Sequence, residues 1–216
     1  MAPLADRLML IVRAELPRDF LLRLADEMDA AYAASKRESD ARTSGRPLYT
    51  RRLGQTRHFE REEALMRAAQ ATELAWVDAR PRGYPKVFVE TPRLRLAELK
   101  VQTWGDLPVS TQERRSLAAS NPLLGSFAGQ GSLLADESIG EKMLAYIVVA
   151  NPDDVDNELP SKVGVGIPNA NLDDWAFLAS LEAILTLDVA VNDTPRLIDR
   201  ARPVLKVVHK QEDGKK

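Results

Sequence analysis

Five arginines fall between Ala41 and Phe59, at Arg42, Arg46, Arg51, Arg52 and Arg57, and no acidic residue interrupts them. Tyr49, His58 and Phe59 are interleaved with them. Guanidinium forks pair with phosphate oxygens and stack on bases, so this stretch has the composition of a segment that tracks a nucleic-acid backbone. A solvated arm has the same composition, as does one that docks on an acidic surface of its own fold or of a second copy. Further along, Glu98-Leu99-Lys100 lies in a strand-like stretch, with Asp78 and Glu73 upstream of it. Carboxylates at two such positions can hold a divalent cation between them. Oxygen ligands suit Mg²⁺, which supplies both a Lewis acid and a nucleophile to a chain poor in histidine.

The acid-x-lysine strand resembles the motif of the restriction-endonuclease-like nucleases, over residues 73–100 only. The resemblance implies Asp78 and Glu98 as metal ligands, Glu73 as a further acid, and Lys100 as the group that positions or activates the attacking water. Read without it, Glu98 and Lys100 are the solvated edge of a strand, where lysine discourages edge-to-edge pairing. Two functions follow. The first is a non-enzymatic interaction or regulatory protein, binding a protein partner, a second copy or nucleic acid through the arginines and Tyr49, with no cofactor. The alternative is a Mg²⁺-dependent nuclease.

Other chemistries are excluded or disfavoured by the residues present. The chain has no cysteine and two histidines, which removes disulfides and thiolate chemistry and leaves a conventional zinc site without ligands. No Gly-x-Ser-x-Gly occurs, and His58 and His209 are the only imidazole bases. Gly129-Gln130-Gly131-Ser132 lacks the Gly-Lys-Ser/Thr of a phosphate loop. Asp153, Asp154, Asp156 and Glu158 alternate like a calcium loop, but counting from Asp154 the glycine expected sixth is Leu159, so a solvated hairpin loop is expected.

The elements that must position these residues are read from periodicity. Leu4, Leu8, Ile11 and Val12 predict a first helix ended at Pro17, and Phe20, Leu21, Leu24, Met28, Ala31 and Tyr32 predict a second. Residues 36–57 read as a long exposed arm. A third helix is expected from near Phe59 to Trp76, ended by Pro81 and Gly83. Val87–Val89 and Leu94–Val101 predict a hairpin, the second strand bulged at Ala97 or buried on both faces. The capping box Ser110-Thr111-Gln112-Glu113 opens a short helix closed by Asn121-Pro122.

Residues 122–140 read as a glycine-bearing connection. Met143–Ala150 is the clearest strand, with Val163, Val165 and Ile167 returning beside it. From a cap at Asn171 or Asp173, Trp175, Phe177, Leu178, Leu181, Ile184, Leu185 and Leu187 predict a central helix. A further cap at Thr194-Pro195 and a last strand over Val204–Val208 complete the reading. The fold class is therefore α+β: an antiparallel or mixed sheet built from two hairpins, packed by helices, with an N-terminal helical pair. The expected division is 1–57, the helical pair with its basic arm, and 58–216, the core, or one continuous domain over 1–216.

Bulk composition frames this. The content is 44 % hydrophobic and 29 % charged, ordinary for a globular chain. The net charge of −2 conceals an asymmetry, since residues 1–116 carry 21 basic and 17 acidic side chains against 9 and 15 in the remainder. Leu8–Val12 is too short for a signal h-region and no apolar run approaches the ~20 residues of a membrane helix, so a cytoplasmic protein is expected. Its alanine and arginine usage is compatible with a GC-rich bacterial or phage genome.

Overall fold

The computed structural model describes residues 3–79, 86–119, 121, 142–152, 154 and 157–192, with side chains as far as residue 186. Among them are five helices and one six-stranded mixed sheet, an α+β fold with the expected N-terminal helices. The order is α1 (Leu4–Glu15), α2 (Arg18–Thr43), α3 (Tyr49–Ala71), β1 (Ala75–Ala79), β2 (Lys86–Glu90), β3 (Leu94–Val101), α4 (Gln112–Ala118), β4 (Met143–Ala150), β5 (Lys162–Pro168), β6 (Trp175–Ser180) and α5 (Leu181–Asn192). Strands lie side by side in sequence order. Only β3 and β4 are parallel; every other neighbouring pair is antiparallel.

Alternation along the strands divides the apolar residues between two layers. Val89, Leu94, Leu96, Ala145, Ile147 and Val165 pack against α1, α2 and α3 on one face. Phe88, Ala97, Leu99, Tyr146 and Val148 pack on the other, which is joined by Ala118 at the end of α4 and by Trp104 and Trp175. β3 is regularly paired on both sides and buried on both faces, which accounts for its mixed parity without a bulge. The central strand β4 is buried throughout, as an uninterrupted apolar run requires. Tyr146 Oη is sealed there without a hydrogen bond, and burial pushes its pKa up to about 12. Because that hydroxyl is desolvated for no return, Tyr146→Phe is expected to be neutral or to stabilise by about 1 kcal/mol in urea unfolding. A loss larger than that would contradict the isolated hydroxyl.

The segment expected to be an exposed arm is helical instead. α2 continues to Thr43, α3 begins at Tyr49, and Gly45 at φ +70° makes the turn between them. Periodicity could not report these helices because their contacts are small or polar. Ser35 and Ser39 are buried, Ser35 Oγ donates to the Ala31 carbonyl at 2.6 Å, and Lys36 is 2.6 Å from Asp40 one turn on. α3 also runs unbroken through residues 57 and 58, and α1–α3 share one core cluster with the sheet.

Two further expectations change. α3 stops at Ala71 rather than Trp76, because Glu73 adopts φ 58° and the Leu74 N–H returns to the Ala69 carbonyl, so Trp76 lies in β1. Trp175–Ser180, expected to be helix, is strand β6. The turn over 169–174, with Leu172 at φ 62° and the Asn169 side chain bonded to Asp173, leads straight into pairing with β5. An apolar run on all sides fits a strand here because Gly164 and Gly166 leave room for Trp104 and Trp175 to lie on the sheet. The expected helix survives only from Leu181.

α4 has Thr111 as its N-cap, Oγ1 accepting from the Arg114 N–H at 3.2 Å. Asn121 beyond its end donates to the carbonyls of Leu144 and Pro168 and accepts from the Leu144 N–H. The stops at Pro81 and Gly83, the glycine-bearing connection over 122–140, Asp153 and Asp156 of the acidic loop, Thr194-Pro195, Val204–Val208 and His209 lie outside the described residues. No helix among the described residues is long and apolar enough to cross a membrane.

Candidate anion-binding cleft

Because β3 and β4 are parallel, their carboxyl ends leave the sheet at the same edge, and α3 passes over them. A crevice at the carboxyl ends of parallel strands is the usual ligand position in open sheets. Here a cleft of about 250 Å³ lies between Arg57 and Arg61 of α3, Lys100 at the end of β3, and Thr50, Gln102 and Asn151. The helix places its two arginines one turn apart on the inward line that runs from Leu53 to Leu65. They occupy core positions with charged side chains.

Each arginine is held differently. Arg61 is 2 % exposed; its Nε donates to Glu98 Oε1 on β3, itself 5 % exposed, through a very short contact. Burial works against the Arg61 charge, but Glu98 and Tyr32 together outweigh it and hold the guanidinium above its usual range. Nη1 of Arg61 is sealed from solvent and makes no hydrogen bond. Arg57 Nη2 donates to the Asn157 carbonyl at 2.9 Å, and its guanidinium stands 4.7 Å from the Tyr32 ring centre. Tyr32 Oη in turn donates to Asn151 Oδ1 at 3.2 Å. Burial and then the two arginines depress the pKa of exposed Lys100.

On the other side of Glu98 stands a second group. His58, Glu62 and Glu98 each present a ligand atom, all within 4.8 Å of one another. Glu62 Oε2 accepts the Val87 N–H at 2.8 Å, and burial with the nearby Glu98 carboxylate raises its pKa to about 7. Burial lowers the His58 pKa, and its Nδ1 is 3.9 Å from Glu98.

The residues singled out by sequence separate as follows. Glu98 and Lys100 lie on the helix-covered face of β3, Glu98 inside and Lys100 at the cleft. Asp78 is exposed on the edge strand β1, with β2 between it and β3, so its backbone is roughly 10 Å from that of Glu98. Glu73 is exposed beyond the end of α3. Among the arm residues, Arg42 and Arg52 both reach Glu38, at 3.2 and 3.4 Å. Tyr49 Oη donates to Asp40 at 2.8 Å, which fastens the start of α3 to α2. Arg46 and Arg51 are exposed at the free end of the α2–α3 hairpin, where Leu48 is 65 % exposed.

The Mg²⁺ that the nuclease resemblance implies fits this arrangement poorly. Arg61 already lies as a cation on Glu98, and the group that converges there includes a histidine nitrogen in place of an all-oxygen set. Sequence reasoning missed Arg61, Glu62 and His58 as partners of Glu98. One signal was present: Arg57 and Arg61 continue the four-residue spacing from Leu53 toward Leu65, which puts both on a buried stripe. Comparison with known proteins found no matching family model, no matching curated protein and no matching solved structure.

Proposed function

We propose that the chain is a non-enzymatic cytoplasmic protein, of bacterial or phage origin, that binds nucleic acid along the α2–α3 hairpin. The observation that supports this most is continuity of charge. Arg46 and Arg51 are exposed at the hairpin end, and the next turns of α3 carry Thr50 and Arg57 into the cationic cleft. A phosphate backbone laid along that path meets guanidinium groups in succession, and the chain beyond residue 116 carries the opposite, acidic excess. A protein partner or a second copy would use the same surface through carboxylates, and light scattering with and without oligonucleotide separates these outcomes.

A salt titration of oligonucleotide binding tests the reading. Three contacts, from Arg46, Arg51 and Arg57, give a slope of log affinity on log salt of roughly −2 to −3. Arg46→Ala with Arg51→Ala is expected to reduce both the slope and the affinity. A slope near zero in the native chain, or no binding at low salt, sinks it. Metal-dependent cleavage is the second reading, favoured by the convergence of Glu62, Glu98 and His58 and weakened by the hold of Arg61 on Glu98. Absence of Mg²⁺-dependent cleavage of any DNA or RNA form, in an assay comparing the native chain with Glu98→Ala, removes it.

A further inference from the structure

We propose that the cleft between α3 and the carboxyl ends of β3 and β4 is a binding site for one phosphoryl group, held by Arg57, Arg61 and Lys100. The inference goes beyond the nucleic-acid reading and does not require it, because that reading needs the exposed arginines of the hairpin end as well as the cleft, and this one needs the cleft alone.

Charge is the first support. Arg57, Arg61 and Lys100 converge there, the described residues lining the cleft include no carboxylate, and Glu98 engages Arg61 from behind. The cleft therefore keeps an excess of positive charge, and a phosphoryl dianion matches it better than a carboxylate. Donor geometry is the second. Glu98 grips Arg61 through Nε and so fixes the plane of the guanidinium. Nη1 of the same group is sealed without an acceptor. A buried charged donor with nothing to bond is costly, and an oxygen bound in the cleft would satisfy it once a small shift of the wall opens Nη1 to it. A fork of this kind suits tetrahedral oxyanions, and Lys100 adds a point charge from the opposite wall. Thr50, Gln102 and Asn151 supply neutral polar groups around them.

Size sets the ligand class. At about 250 Å³ the cleft is somewhat smaller than the ~300–1,000 Å³ typical of drug-sized ligands. It holds a phosphoryl group with a small carrier, such as a mononucleotide or the terminal phosphate of an oligonucleotide, or inorganic phosphate itself. Gly54 borders the cleft within α3, and a Cβ there would meet nothing within 4 Å, so the wall tolerates a side chain and the helix gains from one.

Titration calorimetry of the full chain at neutral pH with inorganic phosphate, a mononucleotide and the matching nucleoside tests the site. Phosphate and mononucleotide are expected to bind and the nucleoside to give no heat. Equal affinities for the first two identify a free anion as ligand, and a gain of about tenfold or more for the mononucleotide identifies a carried phosphate. Lys100→Met is expected to weaken binding about ten- to a hundredfold, as the loss of a charged hydrogen bond does. Gly54→Glu, which puts a carboxylate on the wall without opening the core, is expected to abolish it, and Gly54→Ala to leave it unchanged. Silence with both phosphate and mononucleotide overturns the proposal, as does binding that survives both Lys100→Met and Gly54→Glu. Arg46→Ala with Arg51→Ala should leave phosphate binding intact, so a failure at the hairpin end and a failure in the cleft give different results.

Discussion

Arg61→Met is expected to lower the unfolding free energy by about 3–5 kcal/mol, because it leaves Glu98 buried beside Glu62 with its main counter-charge gone. Removing one partner of a desolvated pair costs far more than the pair itself contributes, since the survivor keeps its desolvation and loses its compensation. The double variant Arg61→Met with Glu98→Leu should therefore recover most of the loss, both side chains then continuing the buried helix stripe of Leu53 and Leu65 and the buried strand face of Leu96. Urea unfolding of the native chain, the single and the double variant measures this. A single-variant cost below about 1 kcal/mol, the range of exposed ion pairs, would contradict the buried pair.

Stability is expected to fall as pH rises from about 4.5 to above 7, by an amount that disappears in Glu62→Gln. Glu62 titrates at its ordinary 4.5 when the chain is unfolded and at about 7 when folded, held up by burial and then by the Glu98 carboxylate. Between those values the folded chain keeps a proton that the unfolded chain has released, so raising the pH draws the equilibrium toward unfolding. The full difference is about 3 kcal/mol. The Val87 N–H, Lys86 and Arg61 pull the other way, and His58 completes the surroundings. His58, whose pKa is lowered by burial, contributes the opposite slope below 6.5, and Glu15 and Glu90, also lowered, contribute it only below 4.5, which is why the variant must be compared with the native chain at each pH. Identical pH profiles for the two would show that Glu62 is solvated.

The parts legible in the sequence were those whose signal is local. The two hairpins, β2–β3 and β4–β5, announced themselves through alternation and turn residues, and α4 through its cap. The α2–α3 hairpin was illegible because its buried face uses Ser35, Ser39, Arg57 and Arg61 where an apolar stripe is looked for. Trp175–Leu178 satisfied both periods, and only the glycines of a neighbouring strand decide between them. The same limit applied to the site. Glu98 and Lys100 stood out as a strand motif, but the partners of Glu98 lie 36 to 40 residues away on a helix, and no local pattern encodes that crossing.

The single parallel joint has a consequence for how the chain reaches this structure. β1–β2–β3 and β4–β5–β6 are each up-and-down meanders whose contacts span few residues, whereas pairing Leu94 with Met143 closes a long loop. Loop closure is an entropic barrier met before the contacts that reward it, so the meanders are expected to form early and the joint to set the folding rate. Shortening that loop should accelerate folding with little effect on unfolding. The cleft, built from both sides of the joint, would then be the last part of the molecule to exist.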